Sequence, residues 1–305
     1  MKIMFMGTPD FAVPSLEKLI LNHDVTAVVT QPDRPKGRGH KLMPPPVKVI
    51  AQQHEIPVYQ PDTFKDKAFL PILEEHKPDV IVVVAYGRIL PSYVLDFPKY
   101  GCVNVHGSLL PKYRGAAPVQ WAVINGEEKS GVCTMRMEKG LDTGAVYEVY
   151  ETQIEKYETA GHLFDRLAQA GAELLLSTLS KLDSIEPTEQ DDKLSCYAPM
   201  ITKEMARIDW TKTSHQVVNL IHGMNPSPVA HTAYEGNPLK VYTAEIGSSS
   251  SLNPGQIGAV IKKKGLEIGC GGGSVIIKEV QPAGKKRMNI EDYLRGHEMK
   301  GYFDE

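Results

Sequence analysis

The sequence predicts an α/β architecture: a domain built on an open parallel sheet, followed by a small β-barrel domain. Three features carry that prediction. Short β-rich runs alternate with helical patterns through the first half of the chain, an order that builds a parallel sheet through right-handed crossovers. Val80–Ala85 is a continuous apolar run introduced by Pro78, as expected of a strand covered on both faces. Beyond the segment 190–206 the texture changes to short β segments separated by turn signals, which suits a small barrel.

Taken in order, Lys2–Met6 reads as the first strand and Phe11–Leu21 as a helix, with Leu16, Leu19 and Ile20 sharing one face. Val25–Thr30 is a second strand. A long loop rich in Pro, Gly and basic residues then runs from Gln31 to Pro46. Val47–His54 is helical, Val58–Tyr59 extended and Lys67–His76 helical again. Gly101–His106 is the strand after Val80–Ala85. Gly115–Asn125 reads as a helix with Pro118 in its first turn, where a missing N–H costs little. Ser130–Met137 and Ala145–Tyr150 are strands. Thr159 is the expected N-cap of a long helix reaching Lys181, apolar at Leu163, Leu167, Ala170 and Leu174. The boundaries follow as a first domain over 1–189, a linker over 190–206 containing Asp191, Asp192 and Pro199, and a second domain over 207–305 that opens with a short helix at Thr213–His222.

Composition narrows the class. With 305 residues, 42% hydrophobic and 23% charged, the chain can bury two cores and is not disordered. No apolar run reaches the roughly 18 residues of a membrane span. The N-terminal apolar stretch stops at Pro9 and Asp10, too short for a secretory core. A cytoplasmic protein without a membrane partner is expected. Cys102, Cys133, Cys196 and Cys270 form no CxxC and no zinc spacing, so reduced thiols and no metal site are expected. The net charge is −3, with 20 Lys+Arg against 24 Asp+Glu over residues 1–190 and 12 against 10 over 207–305. Any contact with nucleic acid therefore has to use local patches.

Asn104 and His106 stand two apart at the end of a predicted strand, in Gly101-Cys102-Val103-Asn104-Val105-His106-Gly107. The two-residue period puts both on one face of the sheet. An amide that can donate to an oxyanion and an imidazole that can carry a proton suit acyl transfer. The alternative is a turn-capping Asn and a satisfied core histidine. Asp142 sits in Gly140-Leu141-Asp142-Thr143-Gly144, where flanking glycines permit a tight loop that could aim its carboxylate at His106. An ordinary turn is the competing meaning. In the Gln31–Pro46 loop, Arg34, Lys36, Arg38 and Lys41 could meet phosphates or form a solvated face. The same choice applies to Lys262-Lys263-Lys264 and Lys285-Lys286-Arg287. Trp121 and Trp210 fit a core better than a base-stacking platform. Gly7-Thr8-Pro9-Asp10 lacks a dinucleotide fingerprint and reads as a tight turn.

Together these segments resemble the methionyl-tRNA formyltransferase family along nearly the whole chain. The matching stretches are Met6-Gly7-Thr8-Pro9-Asp10-Phe11, Gln31-Pro32-Asp33-Arg34-Pro35, Gly37-Arg38-Gly39, Val84-Ala85-Tyr86-Gly87, the run from Asn104 through Ser108-Leu109-Leu110-Pro111 to Arg114-Gly115-Ala116-Ala117-Pro118, Gly140–Gly144, Ala206-Arg207-Ile208-Asp209-Trp210, and Gln281–Lys286. The resemblance implies a Rossmann-like formyltransferase domain and an OB-like C-terminal domain. It implies 10-formyltetrahydrofolate as formyl donor and initiator methionyl-tRNA as acceptor. It assigns catalysis to Asn104, His106 and Asp142. It places folate contacts at Ser108, Leu109, Leu110 and Pro111, and at Tyr86, Gly87 and Arg88, with backbone over 138–142 also near the pterin. It gives the transfer RNA to Arg34, Lys36, Arg38 and Lys41 near the acceptor end, and to the C-terminal domain, where Lys262, Lys263, Lys264, Lys285 and Lys286 are the candidates. A monomer is expected. One departure is Ser227, where relatives often carry Trp, which touches local packing and not the reaction.

Three other functions remain compatible with parts of the pattern. They are transfer to a small amine such as glycinamide ribonucleotide or an amino sugar, hydrolysis of formyl-folate, and non-catalytic RNA binding. A barrel of about 100 residues and a basic loop are more than a small acceptor requires.

Overall fold

The computed structural model describes residues 1–36 and 41–304. The chain divides into two compact units. The first comprises Met1–Pro118, Gly131–Thr152 and Phe164–Ala198; the second comprises Val119–Ser130, Gln153–Leu163 and Pro199–Glu305.

Up to the end of the first unit the elements are β1 (Lys2–Gly7), α1 (Val13–Asn22), β2 (Asp24–Val29), β3 (Arg34–Lys36), β4 (Lys41–Met43), α2 (Pro46–Gln53), β5 (Val58–Tyr59), α3 (Leu70–His76), β6 (Val80–Val84), α4 (Ser92–Leu95), β7 (Cys102–His106), β8 (Arg114–Gly115), α5 (Pro118–Ile124), β9 (Lys129–Arg136), β10 (Val146–Gln153), α6 (Ala160–Ser180) and β11 (Tyr197–Ala198). The main sheet has the order β10-β9-β7-β6-β1-β2-β5. The pairs β2–β5, β1–β2, β1–β6 and β6–β7 are parallel. The expected parallel sheet gives way at β9, which runs antiparallel to β7, a common ending for such sheets.

The two-residue period decides the faces. Met4, Met6, Ile81, Val83 and Cys102 pack with Phe69, Leu73 and Val94 in one buried layer. Asn104 and His106 continue the Cys102 side of β7, beyond that apolar layer. Val105 points the other way, against α6. A Cβ on Gly171 of α6 would lie 2.9 Å from Val105 Cγ1 and 3.1 Å from Val132 Cγ2, so the helix lies this close only because residue 171 has no side chain.

Two local expectations change. Gly115–Ala117 is not helical. Instead β8 pairs with β11, Arg114 with Tyr197 and Gly115 with Ala198, and the helix starts at Pro118, its first residue. The Gln31–Pro46 segment is not wholly loop. Its arms form a hairpin with Arg34 opposite Met43, Pro35 opposite Leu42 and Lys36 opposite Lys41; residues 37–40 lie outside the described residues.

The second unit adds α7 (Ser214–Gly223), β12 (Ala230–Tyr234), β13 (Asn237–Ile246), β14 (Ile257–Ile261), β15 (Gly265–Cys270), β16 (Gly273–Pro282), β17 (Met288–Asn289) and α8 (Ile290–Leu294). Its strands form an antiparallel OB-like sheet in the order β12-β13-β16-β15-β14, with β17 on β16. Thr213 and Gln216 close a capping box at the start of α7. Val217, Ile221, Val241, Ile268, Ile277 and Ile290 form the centre of its core. Trp210 is buried and stacks on Phe303 with ring centroids 5.3 Å apart, and Trp121 Nε1 donates to the Pro199 carbonyl, so both act as packing residues. Ser227 is exposed. Among the described residues no helix is long and apolar enough to cross a membrane.

Candidate active site

The carboxyl ends of β1, β6 and β7 are adjacent, because those strands are parallel neighbours. In open α/β sheets this edge is where ligands bind. Several residues here hold the left-handed backbone that favours glycine: Ala85 (φ 47°), Gly87 (φ 80°), Tyr113 (φ 60°), Gly115 (φ 117°) and Asp142 (φ 53°). Non-glycine residues seldom adopt it, and such strain gathers at functional sites.

His106 is buried, and its Nε2 lies 2.9 Å from the Tyr113 carbonyl oxygen. A carbonyl can only accept, so Nε2 carries hydrogen and donates. That bond fixes the ring. Nδ1 then faces Asp142 Oδ2 at 3.7 Å, with side-chain exposures of 7% and 17%. This is ion-pair range, beyond a direct hydrogen bond. The carboxylate is held from elsewhere: Gly115 N–H donates to Asp142 Oδ2 at 2.8 Å. Asn104 is 7% exposed, and among the described residues its amide makes no hydrogen bond. Both nitrogens of His106 are directed at protein groups, whereas the Asn104 amide has no such partner among the described residues and could donate to an oxygen placed beside it.

The folate candidates divide in the same way. The Ser108 hydroxyl is committed to the Lys112 carbonyl at 2.7 Å, and the Ser108 carbonyl accepts from Cys133 Sγ. Burial pushes that thiol up to about 11, so it stays protonated. Leu109, Leu110 and Pro111 are half-buried. The Tyr86 ring belongs to the core beside Phe64, and burial pushes its phenol up to about 12. Its carbonyl accepts from Thr8 Oγ1 and Gln31 Nε2, each at 3.2 Å. Arg88 is spent on protein, donating to the carbonyls of Pro61 and Asp62 and to Gln31 Oε1. Gly87 is exposed, and a Cβ there would meet nothing within 4 Å. What this loop offers a ligand is backbone and open space.

Among the transfer RNA candidates, Arg34 is exposed on β3. Lys36 and Lys41 are paired in the backbone register of the β3–β4 hairpin, and Arg38 lies outside the described residues. Asp33 at the foot of the hairpin is gripped by Lys48 Nζ at 2.8 Å and by Gln60; these hydrogen bonds, Lys48 first, hold its carboxyl below the usual value. Lys262, Lys263 and Lys264 are exposed in the β14–β15 turn, and Lys285 and Lys286 in the β16–β17 turn. The sequence carries no signal for Tyr293 and His297, which stack at 4.3 Å, with Lys285 Nζ 5.7 Å from the Tyr293 ring. Nor did it point to Tyr113 or Gln190, since a backbone carbonyl and a lone amide carry no motif.

Comparison with known proteins places the chain in a family. A family model described as "Formyl transferase" matches residues 1–179, and one described as "Formyl transferase, C-terminal domain" matches residues 200–298. The methionyl-tRNA formyltransferase of Clostridium novyi is 49% identical over 304 residues, covering 98% of each chain. That of Geobacter metallireducens is 49% identical over 299 residues, covering 97% of this chain and 96% of its own. Among solved structures, an N-formyltransferase from Helicobacter canadensis in complex with folinic acid and dTDP-3-aminofucose has a TM-score of 0.69 at 21% identity, covering 92% of this chain and 99% of its own. HypX from Aquifex aeolicus in complex with tetrahydrofolic acid has a TM-score of 0.63 at 16% identity, covering 100% of this chain and 51% of its own. At such identities these two share the fold alone. With near half its residues identical to full-length relatives and both formyl transferase models matched, the chain belongs to the methionyl-tRNA formyltransferase family.

Proposed function

We propose that the protein transfers the formyl group of 10-formyltetrahydrofolate to the free amino group of methionine on initiator transfer RNA, in the cytoplasm and as a monomer. In this reading residues 1–189 carry the chemistry, 190–206 join the two parts, and 207–305 hold the transfer RNA. The observation that carries it is the unpartnered Asn104 amide on the same strand face as a His106 ring fixed by Tyr113 and facing Asp142.

The donor supplies the electrophilic carbon and the nitrogen that leaves. The open backbone at Ala85–Gly87 and the half-buried Leu109–Pro111 stretch suit a flat heteroaromatic group. The acceptor amine attacks in its neutral form, which is available near pH 7 because an α-amino group titrates at about 7.7–8.0. The Asn104 amide then donates to the oxygen on which negative charge develops, an interaction of about 3 kcal/mol for a well-placed donor. His106 Nδ1 can take up a proton and keep it beside the Asp142 carboxylate, and from there the proton can be returned to the departing nitrogen. Metal is not required for this sequence of steps. The basic residues of the β3–β4 hairpin and the lysine turns at 262–264 and 285–286 would neutralise RNA phosphates.

The test offers the purified protein formyl-folate together with charged initiator transfer RNA, with small amines, and with water alone. Formyl uptake on the transfer RNA supports the proposal. Transfer only to small amines, or only release of formate, refutes it.

A further inference from the structure

We infer that Gln190 is a positioning residue for Asp142, acting through the backbone of the loop that carries it. The inference rests on the reading that Asp142 takes part in transfer. Gln190 Nε2 donates to the Asp142 carbonyl at 2.9 Å and to the Gly144 carbonyl at 2.7 Å. Its Oε1 accepts from Arg114 Nε at 3.1 Å and Nη2 at 2.9 Å. The chemistry allows only this amide orientation, because two carbonyls can only accept and a guanidinium can only donate. One half-buried side chain thus uses both of its hydrogens and both of its lone pairs.

The two groups it joins are the two that set the Asp142 carboxylate. The 142–144 loop holds Asp142 at φ 53°, a conformation that needs support from outside the loop. Gly144 packs close against β9, since a Cβ there would fall 1.8 Å from the Arg136 carbonyl oxygen. Arg114 precedes Gly115, whose N–H holds Asp142 Oδ2. Gln190 therefore ties the backbone of Asp142 to the strand that orients its side chain. Gln190 is itself fixed by its flanks: Thr188 exchanges two backbone hydrogen bonds with Val146, and Tyr197–Ala198 pair with Arg114–Gly115. Arg114 Nη2 also reaches Asp192 at 2.8 Å. The segment expected as a linker over 190–206 is, over 190–198, part of the support of the site.

The experiment measures steady-state formylation by the full chain, with formyl-folate and charged initiator transfer RNA, for Gln190→Ala, Gln190→Glu, Asp142→Asn and the double variant Gln190→Ala/Asp142→Asn. Gln190→Glu keeps the acceptors for Arg114 but sets negative oxygens against two carbonyls, and it serves should Gln190→Ala fold poorly. The expected result is a fall in kcat of about 10- to 100-fold for both Gln190 variants, the size of effect that a misplacement of about 1 Å produces, with both KM values little changed. In the Asp142→Asn background, Gln190→Ala should then cost almost nothing further. An equal fold-loss in both backgrounds overturns the inference, as does a loss confined to KM or normal turnover in the Gln190 variants. Normal turnover in Asp142→Asn alone removes the reading beneath it, and shows this without any change at Gln190.

Discussion

Replacing Gly115 with alanine tests the geometry of the site without touching a reacting group. Gly115 has φ 117°, where an L side chain is strained by about 1–3 kcal/mol. The new Cβ would lie 2.7 Å from the Ala198 carbonyl oxygen and 2.7 Å from the Tyr197 ring. The ring can swing aside, but the carbonyl belongs to the β8–β11 pair. Relief requires that pair to part, which weakens the backbone bonds between Ala198 O and the N–H groups of Ala116 and Ala117. A combined loss of about 2–4 kcal/mol follows from strain plus overpacking. For a unit of this size that is a fall in melting temperature of about 5–15 °C. The same shift draws the Gly115 N–H away from Asp142 Oδ2, a charge-assisted bond of about 1.5–3 kcal/mol, so kcat should fall by about tenfold or more. Scanning calorimetry and steady-state formylation of Gly115→Ala give both numbers. A variant that melts with the wild type and turns over normally would refute the close approach of the two strands and the role given to the N–H.

Asn104→Ala and Asp142→Ala should each reduce kcat by about 100-fold while equilibrium titration shows folate still bound; near-normal turnover in both would remove the proposed site. Arg38→Ala should raise KM for transfer RNA and flatten the dependence of kcat/KM on salt, by about one unit of slope for one phosphate contact, with folate affinity unchanged; an unchanged slope would mean that this residue meets no phosphate. Asp33 has a folded-state carboxyl value lowered from 3.8 by Lys48 and Gln60, so its contribution to stability is present above about pH 4 and is lost as the pH falls through the folded value. Asp33→Asn should therefore make the acid-unfolding curve shallower below pH 4; a curve superimposable on the wild type would show that the contact contributes nothing.

Much of the fold was legible because the signals for it are local. Val80–Val84 announced itself as a strand buried on both faces, and the alternation in Cys102–His106 correctly put Asn104 and His106 on one side of β7. Thr159, expected as an N-cap, marks the start of α6, and the short helix expected from Thr213 is α7, with Thr213 as its cap. The site was legible in its membership, through Asn104-x-His106 and the glycine-flanked Asp142, and not in its wiring. The glycines around Asp142 permit a loop that aims its carboxylate at His106, and Oδ2 does lie 3.7 Å from Nδ1. The bonds that fix the two groups come from elsewhere: the ring is fixed by the Tyr113 carbonyl, and Asp142 is held by the Gly115 N–H. Those partners are backbone groups, present in every residue, so no side-chain pattern could single them out.

The residues 114–117 show the same limit from the other direction. Their sequence is compatible with the start of a helix, yet Arg114 and Gly115 are drawn into a short parallel pair with Tyr197 and Ala198, 83 positions further on for both pairs. The sequence alone determined which segments become strands and helices, which side chains share a sheet face and which residue types are available for acyl transfer, because these depend on neighbours a few positions apart. Only the tertiary structure decided that the His106 ring would meet the Tyr113 carbonyl and the Gln190 amide the Asp142 carbonyl, because bonds from a side chain to a backbone carbonyl 7 and 48 positions away form only once the folded chain brings those atoms within 3 Å of one another.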